Sequence, residues 1–205
     1  YIPTISLRDL YTELIGYVGD GITADISNLL GTTYSDVYIT CGDAIRNLSE
    51  SQLKTSIQEF INSVNAIFNS AFYYDKASDT AYIEAKADVY DGSTEICDLG
   101  DIEEITVKPL FEDVSSSIEI GYPEFTYDEI NGKFEFNTKT MYQTPITRKT
   151  DKLTLVSDYR TDVYGIELTR VNLTEKSATD SENDNDVFLL HLDPTATGTI
   201  PAGYN

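Results

Sequence analysis

The histidine at position 191 is the one imidazole in the chain, and it is the first side chain to consider for acid–base chemistry. It lies within the apolar run Val187–Leu192, which is typical of a buried strand. A serine or cysteine nucleophile would need this imidazole as its base, yet no G-x-S-x-G motif or comparable turn accompanies it. The pattern therefore favours an outward-facing or hydrogen-bonded strand histidine over a catalytic one.

Four acidic residues at alternate positions form a D-x-E-x-D-x-D pattern: Asp180, Glu182, Asp184 and Asp186. Hard carboxylate oxygens are the ligands that calcium prefers. An EF-hand loop needs Gly at its sixth position and Glu at its twelfth, where this chain has Asn185 and His191. The sequence therefore favours a solvated acidic loop and retains these four residues only as weak calcium candidates, with no cofactor expected.

Paired carboxylates could also support glycoside hydrolysis. The chain has 35 acidic residues, so the sequence singles out no pair for that role.

Tyrosine and arginine crowd the second half of a chain that is otherwise poor in basic residues. Both residue types are enriched at protein interfaces, so one interpretation is an interface patch. The other interpretation, equally supported, is a set of internal ion pairs. The interface candidates are Tyr122, Tyr127, Tyr142, Arg148, Tyr159, Arg160, Tyr164 and Arg170.

The composition excludes several classes of function. A net charge of −21 argues against binding to nucleic acid or to anionic membranes, because both need a basic surface. No apolar run approaches the length of a membrane span, and no signal peptide precedes Tyr1, so we expect no membrane insertion.

Cys41 and Cys97 allow one disulfide but do not require it, and they provide no zinc motif. The abrupt start at Tyr1 and the Gly/Pro/Thr-rich end suggest a piece of a longer protein.

The elements that must position these residues begin with a long amphipathic helix. Apolar residues recur at helical spacing across Ser49–Ser70, and Ser49 with Gln52 fits a capping box. A shorter helix is predicted over Ser6–Tyr17, capped by Ser6 with Asp9. The long helix is expected to bury an apolar stripe: Ile57, Phe60, Ile61, Val64, Ile67 and Phe68.

Strands are predicted to fill most of the remaining chain. Alternating segments at 71–75 and 80–86 predict a hairpin, and Asn131-Gly132 predicts a tight turn further on. Further strands are expected at 36–40, 115–121, 152–157 and 186–192. The fold class is therefore α+β, with mostly antiparallel strands and the long helix packed on a sheet. We expect a mixed module at 1–112, a β-rich module at 113–193 and a tail or linker at 194–205.

Several segments, taken in order, resemble virion proteins of Bacteroidetes phages and prophages. They are the helix end Ser63–Asn69 followed by a hairpin, the stretch Cys97–Ile105, the stretch Ser117–Tyr122, and the later segments Glu135–Thr138, Thr144-Pro145 and Asp184–Phe188. The resemblance covers about Ser56 to Leu192. It implies a structural subunit of a phage tail or baseplate, located in the virion after assembly in the bacterial cytoplasm, with no active-site residues to carry over.

The first expectation for function is therefore a non-enzymatic virion subunit that binds copies of itself and other virion proteins. A surface carbohydrate-binding module is the alternative, and it would need coplanar exposed aromatic rings. A carboxylate-dependent glycoside hydrolase is a third possibility, and it would need a cleft with a carboxylate of raised pKa. An assembly subunit would instead leave large apolar or tyrosine-rich patches bare in the monomer.

Overall fold

The computed structural model describes residues 2–19, 21–47, 51–90, 100–101, 104, 106, 114–123, 139–146, 151–163, 165–167, 169–170 and 185–191. The helices include α1 (Leu7–Val18), α2 (Gly42–Ile45), α3 (Ile57–Phe68) and α4 (Lys86–Val89), with a π-helix at Leu29–Thr33. Residues 163, 165–167 and 169–170 are also helical. The strands are β1 (Ile5–Ser6), β2 (Thr23–Asp25), β3 (Val37–Cys41), β4 (Ser70–Asp75), β5 (Thr80–Ala85), β6 (Ser117–Gly121), β7 (Lys139–Gln143), β8 (Lys152–Val156) and β9 (Val187–His191).

These strands form three small sheets, each of three strands. Their orders are β1-β3-β9, β2-β5-β4 and β7-β6-β8. The pairs β2/β5 and β6/β8 are parallel, and the other four pairs are antiparallel. The predicted α+β class with mostly antiparallel strands is confirmed.

The buried core lies where α1 and α3 meet the sheets of β3 and β5. The Tyr11 ring of α1 stacks on the Phe60 ring of α3, with centroids 5.7 Å apart and planes at 12°. The Tyr11 hydroxyl donates a 2.9 Å hydrogen bond to the Ala81 carbonyl of β5. One aromatic side chain thus connects a helix, a second helix and a strand, and burying these apolar groups is the main force that stabilises the fold.

The helix α3 starts later than the sequence predicts. Residues 51–56 are not helical, and the helix begins at Ile57 rather than at Ser49. The capping box is formed by Ser56 and Glu59: the Glu59 amide donates to Ser56 Oγ at 3.2 Å, and the Ser56 amide donates to Glu59 Oε2 at 2.9 Å. Ser49 and Gln52 fit the same spacing, and that coincidence made the predicted start wrong.

The predicted apolar stripe of α3 does pack on the core. Phe60 and Val64 are fully buried, and the flanking members of the stripe are half-buried against the core cluster. The helix ends at Phe68 and is capped by Asn69, which adopts the left-handed conformation (φ 50°) and whose amide donates to the Asn65 carbonyl at 3.0 Å.

Two other sequence predictions are confirmed. The Ser6 side chain caps α1 by accepting from the Asp9 amide at 3.0 Å. β4 and β5 form the predicted antiparallel hairpin, whose turn is closed by Asp75: its carboxylate accepts from the Ala77 amide at 2.9 Å and from Ser78 Oγ at 2.7 Å.

The last strand, β9, pairs with a strand from the other predicted module. β9 belongs to the predicted second module, and it pairs along its whole length with β3 of the predicted first module. The division at 112/113 and 193/194 stays a prediction, and the segment 194–205 and the Asn131-Gly132 turn lie outside the described residues.

Candidate interaction surface

The sheet of β7, β6 and β8 carries apolar side chains on one face. Ile118 lies opposite Tyr142 of β7 and Leu153 of β8, and Ile120 lies opposite Leu155. Paired residues point to the same side of a sheet, so these five side chains share one surface, here called the apolar face. Ile120, Tyr142 and Leu153 are 39%, 56% and 43% exposed. The apolar face is therefore open to a partner.

The outer edge of this sheet is formed by β7, all five residues of which are exposed. Among the described strands, β7 pairs with β6 alone. In an antiparallel ladder, the backbone N–H and C=O groups of every second residue point toward the partner strand. The amide of Thr144, the residue after β7, donates to the Ser116 carbonyl at 2.9 Å, so Thr144 is one of the residues that face β6. Thr140 and Tyr142 therefore face β6. The backbone N–H and C=O groups that point away from β6 belong to Lys139, Met141 and Gln143.

A second exposed edge is formed by β4. Among the described strands it pairs with β5 alone. The Lys86 amide donates to the Asn69 carbonyl at 3.1 Å, which places Ala71, Tyr73 and Asp75 in the positions whose backbone faces β5. The backbone groups that point outward belong to Ser70, Phe72 and Tyr74. Phe72 and Tyr74 are also exposed in their side chains, whereas Ser70 is buried.

The solvent face of the hairpin carries tyrosines and acids. Tyr73 and Tyr82 stack with centroids 5.0 Å apart and planes at 11°. The Tyr73 hydroxyl donates to Glu84 Oε2 at 2.8 Å, and partial burial together with Glu84 raises the pKa of Tyr73 to about 12. Because the two rings stack on each other, they do not lie side by side as a flat platform of the kind that sugar rings stack on.

Among the predicted interface residues, Tyr142 lies on the apolar face and is exposed. Tyr122 is half-buried just after β6. Arg170 is half-buried and donates from Nη2 to Glu167 Oε1 at 2.8 Å, which lowers the pKa of Glu167. The candidates that lie outside the described residues, or whose side chains do, are Tyr127, Arg148 and Tyr164.

Two interface candidates are internal, which corrects the prediction for them. Tyr159 is part of the buried core, and its hydroxyl lies 2.7 Å from Thr55 Oγ1. Arg160 is only 1% exposed. In the described conformation neither side chain can reach a partner. The other interpretation of this segment, internal ion pairs, is the one that the structure shows for Arg160.

Arg160 makes charge-assisted hydrogen bonds to two carboxylates. Its Nε and Nη2 donate to the two oxygens of Asp162, each at 2.9 Å, and its Nη1 donates to Asp186 Oδ2 at 2.6 Å. The guanidinium carbon lies 4.9 Å from the centroid of the Phe188 ring. A planar guanidinium suits both the bidentate pair and the stacked ring, which lysine would not.

The backbone of Arg160 joins the same two segments. Its amide donates to the Val187 carbonyl at 2.8 Å, and its carbonyl accepts from the Leu189 amide at 2.8 Å. The side-chain and backbone contacts together attach the segment after β8 to β9. The cluster of Arg160, Asp162 and Asp186 is therefore a structural connection.

Asp162 is the described carboxyl group whose pKa is raised to about 6, and burial is the cause. A carboxyl of raised pKa is the feature a hydrolase would need, yet Asp162 is 1% exposed. Its oxygens accept from Arg160 and from the Gly165 amide at 3.0 Å. In this conformation the group has no access to a substrate.

A polar cleft of about 200 Å³ lies between α3 and β8. Beside this cleft, the Asp158 amide donates a 3.2 Å hydrogen bond to the buried Ser63 Oγ, which connects α3 to the segment after β8. The lining residues are Asn62, Asn65, Thr154, Leu155, Val156 and Asp158. Asp158 is the single acid among them, so this cleft does not offer the two carboxylates that glycoside hydrolysis uses.

His191 and Asp186 complete the candidates drawn from the sequence. His191 is mostly exposed at the end of β9 and lies 2.8 Å from Asp36 Oδ2, which confirms an outward-facing, hydrogen-bonded histidine. Asp186 is paired with Arg160, and the other calcium candidates, Asp180, Glu182 and Asp184, lie outside the described residues. The part of the chain that is described holds no group of three or more potential metal ligands.

Cys41 is buried, and burial raises the pKa of its thiol. Cys97, its possible partner in the one disulfide that the sequence allows, lies outside the described residues.

Sequence reasoning missed the residues that form the exposed edges and most of the apolar face. Alternation in β6 and β8 predicts that one side of the sheet is apolar, but not that this side stays uncovered. The pattern Phe72-Tyr73-Tyr74 was a signal for β4, since three consecutive aromatic residues in a strand must place at least one on the solvent side.

Comparison of the chain with protein-family models, with curated proteins and with solved structures found no match. Within the described residues, no helix combines the length and the apolar character that crossing a membrane requires.

Proposed function

We propose that this chain is a non-enzymatic structural subunit that acts by self-association and by contacts with other proteins of the same assembly. The observation that carries the proposal is the apolar face, where Ile120, Tyr142 and Leu153 are exposed on one sheet. Contiguous exposed apolar side chains of this kind are typical of interaction sites.

The kind of assembly that we propose is a phage tail or baseplate, located in the virion. That part of the proposal is supported by the resemblance of the segments between Ser56 and Leu192 to virion proteins, while the exposed edges and the apolar face support self-association. Subunits of such assemblies repeat one contact around a symmetry axis, so a single exposed face is used many times.

The two alternatives gain no specific support. Tyr73 and Tyr82 are stacked rather than coplanar, which does not favour a carbohydrate platform. The carboxyl group of raised pKa, Asp162, is buried in an ion cluster.

The proposal is tested by measuring the mass of the full-length gene product by light scattering, for the natural protein and for Leu153→Asp. A charge at an exposed position of the apolar face should leave the fold intact and lower the fraction of assembled protein at least tenfold. The matched control is Thr154→Asp, which places the same charge on the other face of β8. Equal assembly of the natural protein and Leu153→Asp would contradict a role for the apolar face, and a natural protein that stays monomeric would contradict the proposed function itself.

A further inference from the structure

We propose that the exposed edge of β7 in one copy of this chain pairs with the exposed edge of β4 in a second copy, in antiparallel orientation. The inference rests on the proposed self-association and specifies its geometry. It joins the sheet β7-β6-β8 of one subunit to the sheet β2-β5-β4 of the next.

The first argument is that both edges have backbone groups available for a new ladder. Lys139 and Met141 point their N–H and C=O groups out of β7, and Phe72 and Tyr74 do the same in β4. An exposed strand edge is a template for pairing with another chain, and recognition by strand addition uses these groups.

The second argument is the register of the β7–β4 pair, which is restricted by the backbone groups that point outward from each strand. An antiparallel ladder requires outward residues of one strand to face outward residues of the other. Pairing Met141 with Phe72 places Lys139 opposite Tyr74, entirely within the two strands. A shift by two residues in one direction brings Lys139 opposite Lys76, where like charges repel. The chosen register also places Gln143 opposite Ser70, the first residue of β4. A shift in the other direction brings Gln143 opposite Phe68, which belongs to α3 rather than to β4, and loses the pair of Lys139 with Tyr74.

The third argument is the chemistry of the facing side chains. A thioether sulfur packs favourably against an aromatic ring, so Met141 suits Phe72. A lysine suits the face of a tyrosine ring, so Lys139 suits Tyr74. The Tyr74 hydroxyl donates to Asp79 Oδ1 at 2.5 Å, so the same register brings the Lys139 ammonium toward a carboxylate.

The fourth argument is the charge of the two segments. β7 contains one basic residue, Lys139, and no acidic residue, although the whole chain carries −21. The hairpin of β4 and β5, residues 70–85, contains three acidic residues and one basic residue. Opposite local charges favour contact between β7 and this hairpin over contact of either one with its own copy.

The contact is heterologous, because a different strand is used on each copy. After a first contact, one subunit therefore keeps an unused β4 edge and the other keeps an unused β7 edge. Such a contact continues into a ring if the rotation closes and into a filament if it does not.

The test uses proline at the outward positions in the full-length gene product. Met141→Pro and Phe72→Pro each remove an outward N–H that takes no part in the ladder within the chain, so each variant keeps its own sheet and loses one edge. Met141→Ala and Phe72→Ala are the matched controls, since they shorten the side chain and keep the N–H. Circular dichroism checks that the variants are folded.

We expect each proline variant alone to lose the edge contact and to reach a smaller mass than its alanine control. In an equimolar mixture of the two variants one edge contact can form between unlike subunits, because Met141→Pro retains β4 and Phe72→Pro retains β7, so the mixture should be heavier than either variant alone. The alanine controls should assemble like the natural protein. Sedimentation gives all of these masses.

Other outcomes separate the two proposals. A natural protein that is monomeric contradicts the proposed function. A natural protein that assembles, while both proline variants assemble equally well, leaves the proposed function standing and overturns the edge contact. If Phe72→Pro assembles like the natural protein while Met141→Pro does not, the β7-to-β4 contact is overturned in favour of β7 pairing with β7. Hydrogen exchange of the natural protein gives a second readout that needs no variant: peptides covering 70–75 and 139–143 should both be protected at least tenfold on assembly, and protection of neither would overturn the contact.

Discussion

Replacing Phe60 with alanine tests the packing of α3 most directly. The side chain is fully buried, and its ring stacks on Tyr11. Substitution of a buried phenylalanine by alanine costs about 3–5 kcal/mol, as lost transfer free energy plus the cavity that remains. Tyr11 is held by its hydrogen bond to Ala81 and cannot move freely into that cavity, so we expect a loss of about 4 kcal/mol.

Urea unfolding followed by circular dichroism and tyrosine fluorescence measures this loss. With a slope of about 2 kcal/mol per molar urea, the midpoint should fall by about 2 M. Ile61→Ala, at a half-buried position of the same helix, is the control and should lose about half as much. A loss below about 1 kcal/mol for Phe60→Ala would refute the packing of α3 and would make its stripe an interface candidate.

Three further predictions concern Tyr11, Arg160 and calcium. Burial raises the pKa of Tyr11 far above its ordinary value. The stability that the buried, protonated Tyr11 contributes should therefore be present below about pH 10 and be lost as the pH rises further. Tyrosinate absorbance should show Tyr11 ionising only on unfolding, and ionisation of all tyrosines in the folded protein would contradict this. Arg160→Ala should cost about 3–5 kcal/mol at pH 8, because it removes the guanidinium charge that offsets the buried Asp162 carboxylate. The loss should shrink toward pH 5 as that carboxyl, whose pKa is raised to about 6, protonates, and a loss independent of pH in urea unfolding would argue against this reasoning. Calcium should leave the melting temperature unchanged, and a saturable rise of several degrees that disappears in Asp184→Asn would overturn that expectation.

Local features of the fold could be predicted where short-range signals are unambiguous. Ser6 and Asp9 cap α1 as their spacing indicates, and the aromatic alternation around Tyr73 and Tyr82 predicts the hairpin. The start of α3 could not be predicted, because two capping boxes fit the sequence. The contact of Thr55 with Tyr159, 104 residues away, accompanies the non-helical course before Ser56. A contact of that range leaves no local signal.

The candidate surface was less predictable than the fold. The density of tyrosine and arginine around Arg160 is compatible with an interface and with an internal ion cluster, and only the three-dimensional pairing with Asp162 and Asp186 distinguishes the two. Likewise, the alternation of Ile118 and Ile120 predicts an apolar side for β6. Whether that side is covered depends on tertiary packing, which the pattern does not encode.

The central claim is that this chain works by assembly, and electron microscopy of the full-length gene product at micromolar concentration tests it most directly. We predict a ring, a tube or a virion-bound particle built from repeated subunits. A full-length monomer that hydrolyses a glycan, and that loses this activity when one acidic residue is changed to its amide, would contradict the claim.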